Sequence, residues 1–345
     1  MTATKLPDGR LRGYAQFITA LFYYFLAGAL ARRGAAGLAS ERWAPFVDQA
    51  MLVFLLLLGY AGLGFALNRQ QHPISEQGLP RRRGWHAEAG TGLAIGWAIA
   101  LVCVIIMALD GGIAIRLTLR PSNWGWLLVE VVFFALVALA EEVAFRGYGF
   151  QRFVRAVGPA GAALGFALLY AFLQAFQLGS NHASIAVSFL LSLVLSTAYL
   201  RTRALWVSWG LNFGWKASRA LLFGLTVSGV NSHSPVVQGD PMGPFWLTGG
   251  GFGLDGSWVT LVVLLAMFPM VFRATRDLNF RYNAPEIIPA GIPVDLDAAA
   301  RRQHEAAMGP AEPAAPTLVQ IVPLAAPPPP LADQAPPTIS GNETD

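Results

Sequence analysis

Glu141, Glu142 and Arg146 stand together at the end of a run that is apolar from Leu127 to Ala140 apart from Glu130. Adjacent carboxylates beside a guanidinium are groups that acid–base chemistry uses. A charge near the centre of a membrane helix costs about 2.5–3.5 kcal/mol at the low end of the scales, so such groups face a protein interior, find partners and carry function. On a helix, Glu142 and Arg146 are an i,i+4 pair and reach one another directly. Glu141 points about 100° away around the helix. One carboxylate is then held by its arginine, while the other is free to act as a general base on water. The competing reading is a structural ion pair that locks helices together. Spacing alone leaves both open.

The elements that must hold this cluster follow from composition. Only 13% of the 345 residues are charged and 54% are hydrophobic, against roughly 25% charged in a soluble globular chain. The chain therefore reads as a multi-pass membrane protein of all-α fold. Its one cysteine, Cys103, lies inside an apolar run, so neither a disulfide framework nor a thiolate metal cage is available. The net charge of +4 comes with arginines gathered in short connections between apolar runs. That is a topogenic pattern, and a nucleic-acid partner is not expected.

Eight apolar runs are long enough to cross a bilayer: 14–31, 45–67, 89–109, 124–145, 158–178, 184–200, 204–225 and 257–272. Ala29-Leu30-Ala31 mimics a signal cleavage site, but the run is long and Arg32-Arg33 follow directly, so it reads as a retained first helix. Gly90, Gly92 and Gly96 in the third run would allow close helix contact. With both termini in the cytoplasm, the inner connections hold Arg69 and Arg81 to Arg83, then Arg152 and Arg155, then Arg201 and Arg203, then Arg273, Arg276 and Arg281. This agrees with the positive-inside rule, although the first outer connection, with Arg32, Arg33 and Arg42, runs against it. The organisation is N-terminal membrane helices over 1–123, a core over 124–280, and a Pro/Ala-rich tail over 281–345 expected to be disordered or polyproline-like in the cytoplasm. The sequon at Asn342 carries no meaning on that side.

Glu-Glu-x-x-x-Arg-Gly at a membrane helix end resembles the first motif of the CPBP intramembrane metalloprotease family, which contains the CAAX prenyl proteases and bacteriocin-processing proteins. Gly158-Pro159 before an apolar helix resembles the middle motif. Arg201 to Trp206, followed by Gly210 to Lys216, resembles the last motif region. The likeness runs from about Trp124 to Gly229. It implies metalloendopeptidase chemistry on membrane-tethered peptides, with Glu141 as general base, Glu142 orienting Arg146, and Arg146 stabilising the cluster.

The departures fall on the ligands. The family places histidine in the middle helix and histidine and asparagine in the late one. Here the middle position is Gln174, or Tyr170 in a register four residues earlier; Asn212 replaces the late histidine and Lys216 the asparagine. Amides are poor zinc ligands and an ammonium is none. The zinc of the family is therefore not expected, and Lys216 is expected to substitute for it electrostatically by pairing with Glu141 or Glu142. Snorkelling of Lys216 to an interface is the competing reading. None of the five histidines lies in an apolar run; a site from His182, His233 and Asp240 is a remote alternative. The expected activity is binding of membrane-tethered peptides or protein partners by a catalytically degenerate family member. The alternatives are an active peptidase with non-standard ligands, and a transporter or channel component whose polar path runs along Glu130, Glu141, Asn212 and Lys216.

Overall fold

The computed structural model describes residues 8–229 and 236–276, Leu278, and two paired fragments at Glu286–Ile287 and Pro293–Val294. The 281–345 tail, apart from those fragments, and His233, His304 and Asn342 lie outside the described residues.

Each of the eight apolar runs falls on a helix. Helix α1 spans Asp8–Leu38 and α2 spans Ala44–Asn68. A single turn, α3 (Pro73–Glu76), leads to α4 (Trp85–Leu109). Then come α5 (Pro121–Arg146), α6 (Tyr148–Val157), α7 (Pro159–Ala175) and α8 (His182–Thr202). Helix α9 (Trp206–Ala217) runs on into a π-turn at Ser218–Leu222. The short α10 (Phe245–Thr248) precedes α11 (Trp258–Ala274). Four of these helices, α1, α2, α4 and α8, are long and apolar enough to cross a membrane by length and composition; α7 and α11 are shorter apolar helices.

Local chemistry sets the boundaries. Prolines open α2, α5 and α7, where a missing N–H costs nothing. Asn181 and Ser184 form a reciprocal capping box at the start of α8. Arg69 and Arg203, both at φ 52°, end α2 and α8 in the left-handed conformation.

Three features differ from the sequence expectation. First, α1 extends seven residues beyond Ala31, so Arg32 and Arg33 are helical rather than part of a connection. Second, the connection after the Glu-Glu motif is itself a helix, α6, which buries Tyr148, Phe150 and Arg152. Third, the fold is not purely helical among the described residues. Strand β1 (Ile113–Leu117) pairs antiparallel with β2 (Val237–Pro241).

Large side chains including Phe22, Phe54, Leu128, Phe172 and Val262 are exposed around the bundle, an apolar belt that suits lipid rather than water. Inside, one core gathers Ile99, Leu191, Leu211, Trp215 and Leu264, and a second gathers Leu56, Phe145, Tyr148, Phe166 and Leu205. The Glu141–Arg146 segment lies where α5, which feeds the second core, meets α9, which feeds the first. One end of the bundle is rich in arginine and tightly bonded. Arg12 donates to the Leu67 carbonyl, Leu205 N to Gly78 O at 2.7 Å, and Trp206 Nε1 to Pro80 O at 2.9 Å. The β1–β2 ribbon lies at the far end of α4 from these contacts.

Candidate functional site: a carboxylate pair closed by an asparagine and a lysine

Helix α5 carries Glu141, Glu142 and Arg146 within about 8 Å of its C-terminal end, at 1.5 Å per residue. Glu142 is fully buried and Arg146 is 1% exposed. Arg146 donates Nη1 to Glu142 Oε1 at 3.2 Å, and its Nη2 donates to Ser192 Oγ at 2.9 Å and Ser192 O at 3.2 Å. The i,i+4 pair anticipated from spacing is present, and α8 completes it through Ser192. Nothing in the sequence reading singled out that serine. The signal for it was the spacing of Ser184, Ser188, Ser192 and Ser196, a small polar stripe on one buried face of α8.

Two contrasting faces of α9 fix the other half of the site. Gly210 and Gly214 face α4, whose Gly92 and Gly96 face back. A Cβ on Gly92 would collide with the Val207 carbonyl, one on Gly96 with the Leu211 carbonyl, and one on Gly210 with the Ala89 carbonyl; on Gly214 it would come to 2.5 Å from the Leu93 carbonyl. Of the three glycines anticipated on α4, Gly90 makes no such approach. On the opposite face, Trp209 Nε1 donates to the Ala135 carbonyl of α5 at 3.0 Å. Asn212 and Lys216 follow at i+3 and i+7, so the same face carries them onto the carboxylates.

Asn212 Nδ2 donates to Glu141 Oε2 at 2.9 Å and to Glu142 Oε1 at 3.1 Å. Lys216 Nζ donates to Glu141 Oε1 at 2.7 Å. Glu141 is therefore not the free carboxylate that helix geometry suggested: both of its oxygens are engaged, because α9 supplies donors that the α5 sequence alone cannot reveal. Its side chain keeps 24% of its exposure, and it opens onto a cleft of about 220 Å³ between α1, α2 and α5, where Arg32, Asp48 and Tyr24 also lie.

The middle-helix positions separate. Tyr170 packs edge-on against Phe145 with centroids 5.1 Å apart, one helical turn beyond Phe166, which also meets Phe145. Gln174 makes none of the hydrogen bonds found among the described residues at this cluster. His182 begins α8 and Asp240 forms an exposed ion pair with Arg116 at 3.3 Å, while His233 lies outside the described residues. Glu130, offered as part of a polar path, lines a different pocket with Arg42, Trp43 and Trp126.

A second buried polar group, not anticipated from sequence, sits just past Lys216. Arg219 in the π-turn meets Asp255 Oδ1 at 2.9 Å and lies 3.9 Å over the Trp215 ring, while Trp215 Nε1 donates to Asp255 Oδ1 at 3.1 Å. Ser228 donates to Asp255 Oδ2 from both N and Oγ. Burial raises the Asp255 carboxyl, but Arg219, by charge and hydrogen bond, outweighs it with help from Lys216 and Ser228, and the group ends below the usual carboxylate range.

The donor set does not fit a zinc ion. Glu142 Oε2 and Asn212 Oδ1 are buried acceptors without a partner, but the remaining oxygens are taken, and the Lys216 ammonium puts positive charge on Glu141 where a divalent cation would need the carboxylate. Two unpartnered acceptors are a demand that an internal water meets.

A family model described as Rce1-like, type II CAAX prenyl endopeptidase Rce1-like, matches residues 123–218. Over that segment the chain is similar to the CAAX prenyl protease family. The matched stretch begins at the start of α5 and ends just past α9, so it contains every member of the Glu141–Lys216 cluster. With its apolar helices, the chain is a CAAX-protease-like membrane protein. No curated protein and no solved structure matches it.

Proposed function

We propose that this CAAX-protease-like membrane protein binds membrane-tethered peptides or protein partners at the Glu141 cleft without hydrolysing them. The observation that carries the reading is the Lys216 ammonium 2.7 Å from Glu141, with Asn212 donating to both carboxylates. A general base must be able to accept a proton from water, and Glu141 accepts from an ammonium and an amide instead. The cation that the family draws from a metal is here part of the chain. Arg146 and Ser192 then hold Glu142 as the fixed end of a Glu–Arg–Lys network that ties α5, α8 and α9 together. The cleft beside Glu141 is lined by Arg32 and Asp48 as well, which gives a bound segment one cationic and two anionic contacts. We also infer that the arginine-rich end faces the cytoplasm.

The test is metal content of the purified chain by mass spectrometry beside cleavage of lipid-tethered peptides. The comparison variant carries Asn212→His and Lys216→Asn with histidine at either Gln174 or Tyr170. No stoichiometric metal and no cleavage in the wild type, with metal gained in a variant, is the expected result. One tightly held zinc in the wild type, with cleavage lost in Glu141→Ala, would restore the peptidase reading. Sidedness is checked separately by labelling of Arg155→Cys and Gln238→Cys in sealed vesicles; labelling of the latter from the cytoplasmic side overturns the orientation.

A further inference from the structure

Arg152 is 1% exposed, and none of its three guanidinium nitrogens donates to any partner among the described residues. Its guanidinium lies over the ring of Tyr148, 4.7 Å from the centroid. A guanidinium carries five N–H donors and does not deprotonate in proteins. A buried one without an acceptor is costly, and native structures resolve such cases with an ion or a water.

Polar groups around it are left unpartnered as well. Gln151, next to Arg152 on α6, donates Nε2 to the Glu76 carbonyl at 2.7 Å and to Tyr199 Oη at 2.8 Å. The end of α3 therefore lies directly on α6. The following residue, Gln77, is fully buried, and neither its amide oxygen nor its amide nitrogen has a partner. Charge is unbalanced too. Arg12, Arg152 and Arg155 all lie within electrostatic range of Tyr148. The acid within range of Arg152 is Glu76, which is exposed and accepts from the backbone N of His72 at 3.3 Å. All of this sits at the arginine-rich end of the bundle, the kind of basic end that an anionic headgroup layer attracts.

We propose that Arg152 and Gln77 line an anion site beneath the 69–84 connection and that its ligand is a phosphate group. A phosphate offers several acceptor oxygens to the planar guanidinium fork and a further one to the Gln77 amide nitrogen, and its charge offsets the local excess of arginine. An anionic lipid headgroup and free inorganic phosphate share this chemistry. The site is separate from the Glu141 cluster and stands whether or not that cluster hydrolyses peptides.

The full chain in neutral detergent tests it. Melting temperature is followed while titrating inorganic phosphate against chloride at matched ionic strength, and in parallel while titrating phosphatidylglycerol against phosphatidylcholine in mixed micelles. The expected result is a saturable rise with one of the two phosphates. A rise with inorganic phosphate identifies a free anion, and a rise with phosphatidylglycerol alone identifies a headgroup. Gln77→Leu should bind about tenfold more weakly, the loss of one charge-assisted hydrogen bond, and Arg152→Gln should lose the effect. Arg273→Gln, an exposed arginine on α11, should keep it. If Arg152→Gln does not fold, the wild-type titrations and Gln77→Leu decide the matter. No saturable rise with either phosphate, or one that Gln77→Leu and every folded Arg152 variant leave unchanged, overturns the proposal.

Discussion

Lys216 on α9 donates to Glu141 on α5 at 2.7 Å, and the two side chains are 8% and 24% exposed. A cation and an anion from helices far apart in sequence are thus joined at the mouth of a cleft, where water still reaches one of them. Truncating Lys216 leaves Glu141 with Asn212 as its remaining donor. Lys216→Met is expected to destabilise the chain by about 1–3 kcal/mol, below the range for fully buried pairs because Glu141 faces the cleft. Neutralising both in Lys216→Met with Glu141→Gln should recover part of that loss. Thermal melts of the two singles and the double give the coupling. Strictly additive effects would mean that the pair does not hold α5 to α9.

The α4–α9 contact sets the rotation of α9, so it governs the site from its far side. Gly92→Val or Gly210→Val drives a side chain into a backbone carbonyl of the facing helix. Either is expected to cost several kcal/mol, as an overpacked core that cannot relax, and to displace Asn212 and Lys216. Gly90 has open space at its Cβ position, so Gly90→Ala should stabilise by up to about 1 kcal/mol through helix propensity. Melting temperatures of the three variants check this, and equal losses for Gly90→Ala and Gly92→Val would refute the reciprocal glycine contact.

The apolar runs and the Glu142–Arg146 spacing were legible in the sequence because both are local: hydropathy over about 20 residues and an i,i+4 pair need no partner helix. The engagement of Glu141 was legible only as a choice of partner for Lys216, since which carboxylate it reaches depends on the rotation of α9, and that is set by Trp209 and the glycines. Helix α6 was hidden because its arginines read as topology signals, although Phe150, Phe153, Val154 and Val157 lie at the i, i+3, i+4, i+7 spacing of an amphipathic helix. The β1–β2 pairing joins segments more than a hundred residues apart, and five alternating residues do not announce a partner at that distance.

Arg82 illustrates the same blindness in a testable way. Its sequence context reads as a positive connection, but it donates Nε and Nη2 to the two oxygens of fully buried Glu88, at 3.0 and 2.8 Å, and Nη2 also reaches the Thr202 carbonyl at 2.9 Å. This bidentate pair pins the 69–84 connection to the start of α4 and the end of α8. Arg82→Lys keeps the charge and loses the fork, so it should cost about 1–3 kcal/mol. Arg82→Ala should cost about 3–5 kcal/mol, because Glu88 is left buried and charged. Proteolysis within 69–84 should speed up in the same order. A lysine variant as stable and as resistant as the wild type would show that charge alone suffices.

Asp255 ties the segment before α11 to the π-turn through Arg219, Trp215 and Ser228. Removing its charge leaves a guanidinium that is fully shielded from solvent. Asp255→Asn is therefore expected to cost about 3–5 kcal/mol, the scale for breaking a buried pair. The pH dependence has a definite sign. The folded carboxyl lies below its ordinary value, so its contribution is present in full above the unfolded pKa of about 4. It is lost as pH falls through the lower folded value, because the unfolded chain binds the proton first. Wild-type melting temperature should thus decline on acidification below about pH 4, and the Asp255→Asn variant should decline less steeply from its lower starting point. Parallel profiles for the two proteins would mean that Asp255 does not carry the acid sensitivity. An unchanged melting temperature at neutral pH would mean that the Arg219 contact is not the anchor of this segment.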